Sequence, residues 1–176
     1  ERKRQERQRA RTLAELFDEY TKKRVQQGKL KLTTVADYRK KMEWGFSDWM
    51  GRSVSNLTKE MVRTRHDKLS HRPTACNGAF RPLRAVLNYA VAVEAIGQNP
   101  VDALKAAKLW HKNKRRSDMI PAKQLGEWLQ AVEQIEPAVH RLAFKMMLFM
   151  GFRVSETYKI RWEDVDLDSE LIVQRD

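Results

Sequence analysis

Cysteine is almost missing from this sequence: Cys76 is the only one in 176 residues. That excludes a disulfide framework and a zinc cluster built on cysteines. It also fits a reducing, cytoplasmic setting. Long apolar runs are missing too. No stretch approaches the ~18 residues of a membrane span, and no apolar signal region follows the Arg-rich start, so neither membrane nor secretion is expected. Acidic residues are scarce in the first two thirds. Residues 1–116 carry 28 basic and 12 acidic side chains, a net of +16, whereas residues 117–176 carry 7 and 11, a net of −4. Two compositions in one chain predict two folding units. What is present is enough for a core: 41% hydrophobic residues, with five Trp and six Phe, argue against disorder throughout. The basic unit suits a polyanion, nucleic acid before all others, because binding releases condensed counterions. A basic domain with no such partner is the plainer alternative.

Helical periodicity runs through residues 12–104, and no period-two pattern appears there. Residues 1–11, with six basic side chains, read as a connector. Thr12 and Glu15 form a capping box ahead of Leu13, Leu16, Phe17 and Tyr20, and Gly28 ends that helix. A second helix is expected from about Thr33 to Trp49, with Val35, Tyr38, Met42, Phe46 and Trp49 inward and Lys40 and Trp44 outward. Thr58 caps a third, carrying Met61, Val62 and Leu69. A fourth spans about Thr74 to Val93, with a kink or late start at Pro82. Residues 105–118 bring six positive charges and read as a basic linker, 119–176 as a second unit. There Pro121 and Pro137 each open a helix; the second is apolar on nearly all sides and expected at the centre of its unit. Leu171, Ile172 and Val173 make a strand.

The chemically informative stretch is Gly151-Phe152-Arg153-Val154-Ser155-Glu156, followed by Arg161-Trp162-Glu163-Asp164-Val165-Asp166. An apolar helix ends in glycine, and an arginine stands on the turn. Its planar, permanently charged fork can take a phosphate through two parallel hydrogen bonds. Glu156 can orient it. Equally, Arg153 and Glu156 can form an internal ion pair that only fixes the turn.

These motifs resemble those of the tyrosine recombinases, the integrase family of phages and mobile elements. The capped helix at Leu13 to Tyr20, the helix at Thr74 to Val93 and the Asn99-Pro100 pair extend the resemblance over most of residues 12–173. It implies a mainly α fold. A four- to five-helix, SAM-like core-binding bundle comes first, then a basic linker, then the first helices and first β-strand of an α+β catalytic domain. It implies DNA integration or excision through a 3′-phosphotyrosyl intermediate, with no metal and no cofactor. Arg153 matches the first family arginine, and Glu156 the acidic residue that supports it. The family's Lys, His-x-x-Arg and nucleophilic Tyr have no counterpart here. His140-Arg141 is wrongly spaced, and Tyr158 lacks a positioned base. The chain is therefore expected to be an inactive fragment and a monomer, whose full-length form joins other integrase subunits in a tetramer on duplex DNA. Helical arithmetic places Lys40 and Thr74, Arg81 and Asn88, with Asn77 and Arg84 on their flanks, toward DNA, and the linker residues Lys112, Lys114, Arg115 and Arg116 along its backbone. His66, His71 and His111 lack partners at metal-ligand spacing and are expected at the surface; Cys76 reads as a small helix residue. A stand-alone helical DNA-binding regulator and a protein-interaction adaptor are the competing readings.

Overall fold

The computed structural model describes residues 11–113 and 117–174. The chain divides into two compact units, Glu1–Arg115 and Arg116–Asp176.

The first unit is a helical bundle. Helix α1 (Leu13–Gln26) begins at the capping box: Thr12 Oγ1 accepts from the Glu15 N–H, and the Glu15 carboxylate accepts from the Thr12 N–H. Gly28, at φ 65°, turns the chain out of it. Helix α2 (Leu32–Phe46) stops earlier than expected. Its last stretch, Ser47–Trp49, tightens into a 3₁₀ turn that swings Trp49 under the bundle. Helix α3 (Lys59–Leu69) is capped by Thr58, α4 spans Pro73–Ala92 and α5 spans Asp102–Ala106. Pro73 opens α4 at a position where no N–H is required. The helix then runs unbroken through Pro82, contrary to a late start there. The ring forfeits one hydrogen bond toward Gly78 and is itself buried on the core side of the helix.

Helix α4 is the axis of the core. Nine of its residues are buried, and α2 and α1 pack along it. Gly45 of α2 permits the close approach: a Cβ there would lie 3.1 Å from the Ala79 Cβ. Phe80 meets Phe46 edge-on at 5.0 Å between ring centroids, and Phe46 stacks on Trp49 at 5.2 Å. At the other end, Glu19 of α1 accepts from Tyr89 Oη and Lys23 Nζ and pairs with Arg11, joining α1 to α4. These cationic and hydroxyl donors hold the Glu19 carboxyl at about 2, down from its ordinary 4.5.

Residues 105–113, expected to belong to a tether, lie instead on the bundle. Trp110 packs against the core and faces Phe80 at 6.5 Å, and the His111 ring stacks on that of His66. Lys114, Arg115 and Arg116 fall outside the described residues, as does the basic run at 1–10.

The second unit holds α6 (Leu125–Glu133), α7 (Ala138–Met150) and α8 (Val154–Thr157), then strands β1 (Val165–Asp166) and β2 (Leu171–Ile172). The strand expected at 171–173 has a partner that the sequence did not reveal. Val165 and Asp166 pair antiparallel with Ile172 and Leu171, and the Val173 N–H donates to the Asp164 carbonyl. Helix α7 is not the buried centre expected from its composition. Only Ala143 is buried, while Val139, Leu142 and Phe149 are more than half exposed. Its apolar surface exceeds what the two small helices and the hairpin cover.

Candidate nucleic-acid interface

On α4, positions 74, 81 and 88 recur every two turns and share one face. Thr74, Arg81 and Asn88 are all exposed there. Arg81, Arg84, Asn88, Lys105 and Trp110 line an open groove of about 460 Å³. Arg84 is partly committed: its Nε donates to Asp102 Oδ1 at 2.9 Å, tying α4 to α5. Asn88 Oδ1 accepts from Asn99 Nδ2, whose own Oδ1 caps the turn at Val101. Asn99 also donates to the Arg84 carbonyl, so it ties the turn before α5 to the exposed side of α4; α4 itself ends at its cap, Val93, after which Glu94 takes φ 60°. Lys40 on α2 and Lys112 beyond Trp110 are exposed.

Asn77 is a correction. It was expected to flank the DNA-facing side, but its residue is buried and its amide is engaged. Its Nδ2 donates to the His111 carbonyl at 2.8 Å and to Asn113 Oδ1 at 3.2 Å, and its Oδ1 accepts from the His111 N–H. An amide that both gives to and takes from one peptide clamps it, and both of its N–H donors are spent within the bundle. Helical phase alone could not show this, because the partner segment lies 34 residues on.

His66 is the second correction. It is buried beside Phe80, not on the surface, and the His111 ring lies parallel to it at 4.5 Å. Cys76, fully buried, points its thiol at the His66 carbonyl, 3.8 Å away. Burial pushes the Cys76 thiol up to about 11 and lowers the His66 imidazole below its ordinary value.

In the second unit the Arg153 motif is built by its turn. Gly151 takes φ 71° and ends α7. Arg153 then sits, extended, at the head of α8. Glu156 Oε2 accepts from the Arg153 N–H at 2.7 Å and Oε1 from its guanidinium at 2.5 Å. First the backbone bond and then the guanidinium hold the Glu156 carboxyl below its usual range. Thr157 Oγ1 donates to the Arg153 carbonyl. The Arg153 side chain is 82% exposed. The ion pair left open by the sequence therefore exists, and it fixes the turn while most of the guanidinium faces solvent. A parallel turn follows at Arg161, whose N–H donates to the buried Asp164 carboxylate. Tyr158 is exposed and meets the His140 ring edge-on at 6.2 Å. Arg141 is spent on Glu136 and the Ile135 carbonyl.

The order of elements gives the chain a fold of the integrase type, as a solved structure shows. Among solved structures the chain is similar to lambda integrase, in a structure described as a lambda integrase dimer bound to a COC′ core site, at a TM-score of 0.72 and 20% identity. The match covers 94% of this chain and 48% of that one, so the chain spans about half the length of the integrase it resembles. No protein-family profile matches the chain, and no curated protein matches it in sequence.

Proposed function

We propose that the chain is the DNA-binding part of a site-specific tyrosine recombinase. Residues 12–104 are its core-binding domain, 105–118 its basic interdomain segment, and 119–176 the start of its catalytic domain. The observation that carries this reading is the structural likeness, over 94% of the chain, to an integrase bound to its core site. Charge supports it independently: the unit that holds the groove has a net +16 with its tail and linker. In the complete protein, the family's tyrosine attacks the scissile phosphate, becomes linked to the 3′ end through it and releases a 5′-hydroxyl; a 5′-hydroxyl of the partner strand later displaces the tyrosine. Arg153 is proposed to bind the reacting phosphate, stabilising the charge that builds on its equatorial oxygens, and Glu156 to hold that arginine on its turn. Lys40, Thr74, Arg81, Arg84 and Asn88 are proposed to meet the duplex, with Lys112, Lys114, Arg115 and Arg116 along its backbone. By itself the chain binds duplex DNA without cleaving it, as a cytoplasmic protein that meets other integrase subunits only in the complete enzyme.

The test is fluorescence anisotropy with a labelled duplex at low salt. Arg81→Ala is expected to weaken binding several-fold, and Thr58→Ala, at the cap of α3, to leave it unchanged once folding is verified. Equal affinities for the native chain and Arg81→Ala remove Arg81 from the interface. Absence of binding by the native chain overturns the whole reading.

A further inference from the structure

The first unit contains a cluster that the DNA-binding reading does not use. His66 on α3, Cys76 on α4 and His111 beyond α5 come from three separate segments. One ligand atom from each lies within 4.8 Å of the others. His66 is 2% exposed, yet neither of its ring nitrogens has a hydrogen-bond partner, and His111 Nε2 is likewise buried and unpartnered. Buried imidazole nitrogens are normally satisfied, because an unpaired one loses its hydration without return. Each neutral ring keeps one nitrogen with a free lone pair, so two imidazoles and a thiol converge with the donors a metal ion takes.

We propose that His66, Cys76 and His111 form a binding site for a tetrahedral transition-metal ion, Zn²⁺ by its chemistry, that fastens the start of the interdomain segment to the bundle. One thiolate and two imidazoles are a ligand set that zinc takes, with a fourth position left to water. Zn–S and Zn–N bonds of about 2.3 and 2.0–2.1 Å bring ligand atoms closer than 4.8 Å, so binding draws the three side chains together. The His66 and His111 rings, now 12° from parallel, must tilt, because a metal lies in the plane of each imidazole it binds. His111 is the ring free to do so: it is half-buried, on a segment held through its backbone by Asn77. Asp67 Oδ1, 3.9 Å from His66 Nδ1, stands where a carboxylate supports a metal-bound imidazole, leaving Nε2 for the ion. On binding, the Cys76 S–H bond breaks, the sulfur pair forms the S–Zn bond, and the proton leaves to solvent.

The 176-residue chain, reduced and stripped with a chelator, is titrated with Co²⁺ and then with Zn²⁺. The expected result is one equivalent of Co²⁺ giving a thiolate-to-cobalt charge-transfer band in the near ultraviolet and visible bands of tetrahedral strength, all bleached by Zn²⁺. Cys76→Ser abolishes the charge-transfer band, and His111→Ala weakens Co²⁺ binding at least ~10-fold. His111→Ala is the decisive variant should Cys76→Ser fail to fold, since it changes a half-buried side chain on the surface segment. Zn²⁺ is also expected to raise the melting temperature of the native chain and not that of His111→Ala. Absence of the charge-transfer band in the native chain, or equal metal affinity in His111→Ala, overturns the site. DNA binding enters neither readout.

Discussion

Asn77 shows how one side chain changes role when a distant segment reaches it. Its amide holds the peptide at His111 from both sides, so Asn77→Ala leaves a buried carbonyl and N–H without partners. The expected cost is about 1–3 kcal/mol, read from urea denaturation, with the DNA affinity of the folded variant unchanged. Weaker DNA binding by the folded variant at fixed salt would restore Asn77 to the interface. Glu19 carries a prediction in pH. Its folded carboxyl titrates at about 2 against an ordinary 4.5, held down first by Lys23 and then by Tyr89. A depressed carboxyl binds its proton more readily unfolded than folded, so its contribution is complete above about 4.5 and fades as pH falls toward 2. The stability difference between the native chain and Glu19→Gln should shrink across that interval; a constant difference would show that the donors do not act through the charge. Arg153 was legible as a charged fork on a turn because Gly151 and Glu156 flank it. Its exposure was not, because that depends on what the helices around it leave uncovered.

Helices are the elements that the sequence announces best, and the reasons are local. Thr12 and Glu15 state a start within four residues, and Thr12→Ala is expected to cost about 1 kcal/mol, measured by thermal or urea unfolding. A loss below a few tenths would mean that the bridge between Thr12 and Ser53 holds the start instead. Phe80 carries more: it touches Phe46, His66 and Trp110 at once, and Phe80→Ala is expected to cost about 3–5 kcal/mol. What the sequence concealed depends on partners far along the chain. Val165 and Asp166 make a strand only because Leu171 and Ile172 return beside them. Trp110 and His111 sit in a run that composition marks as a linker, and they leave it because α3 and α4 offer an aromatic and imidazole surface. Helix α7 misled for the opposite reason: its apolar composition promises burial, and the described residues of its unit supply little to bury it.

At the scale of the molecule, the low count of acids in residues 1–116 is the feature with the widest consequence. A net of +16 beside a −4 unit becomes meaningful once the groove of α4 and the exposed Lys40 and Lys112 lie within the basic part. Such charge acts through counterion release, so affinity must fall with salt in proportion to the phosphates neutralised. The most direct measurement is the dissociation constant for a duplex over a range of salt concentrations. The account predicts a straight line of log affinity against log salt with a slope of about −3 or steeper, each phosphate contact supplying about −0.9. A flat line, or no binding at the lowest salt, would contradict it.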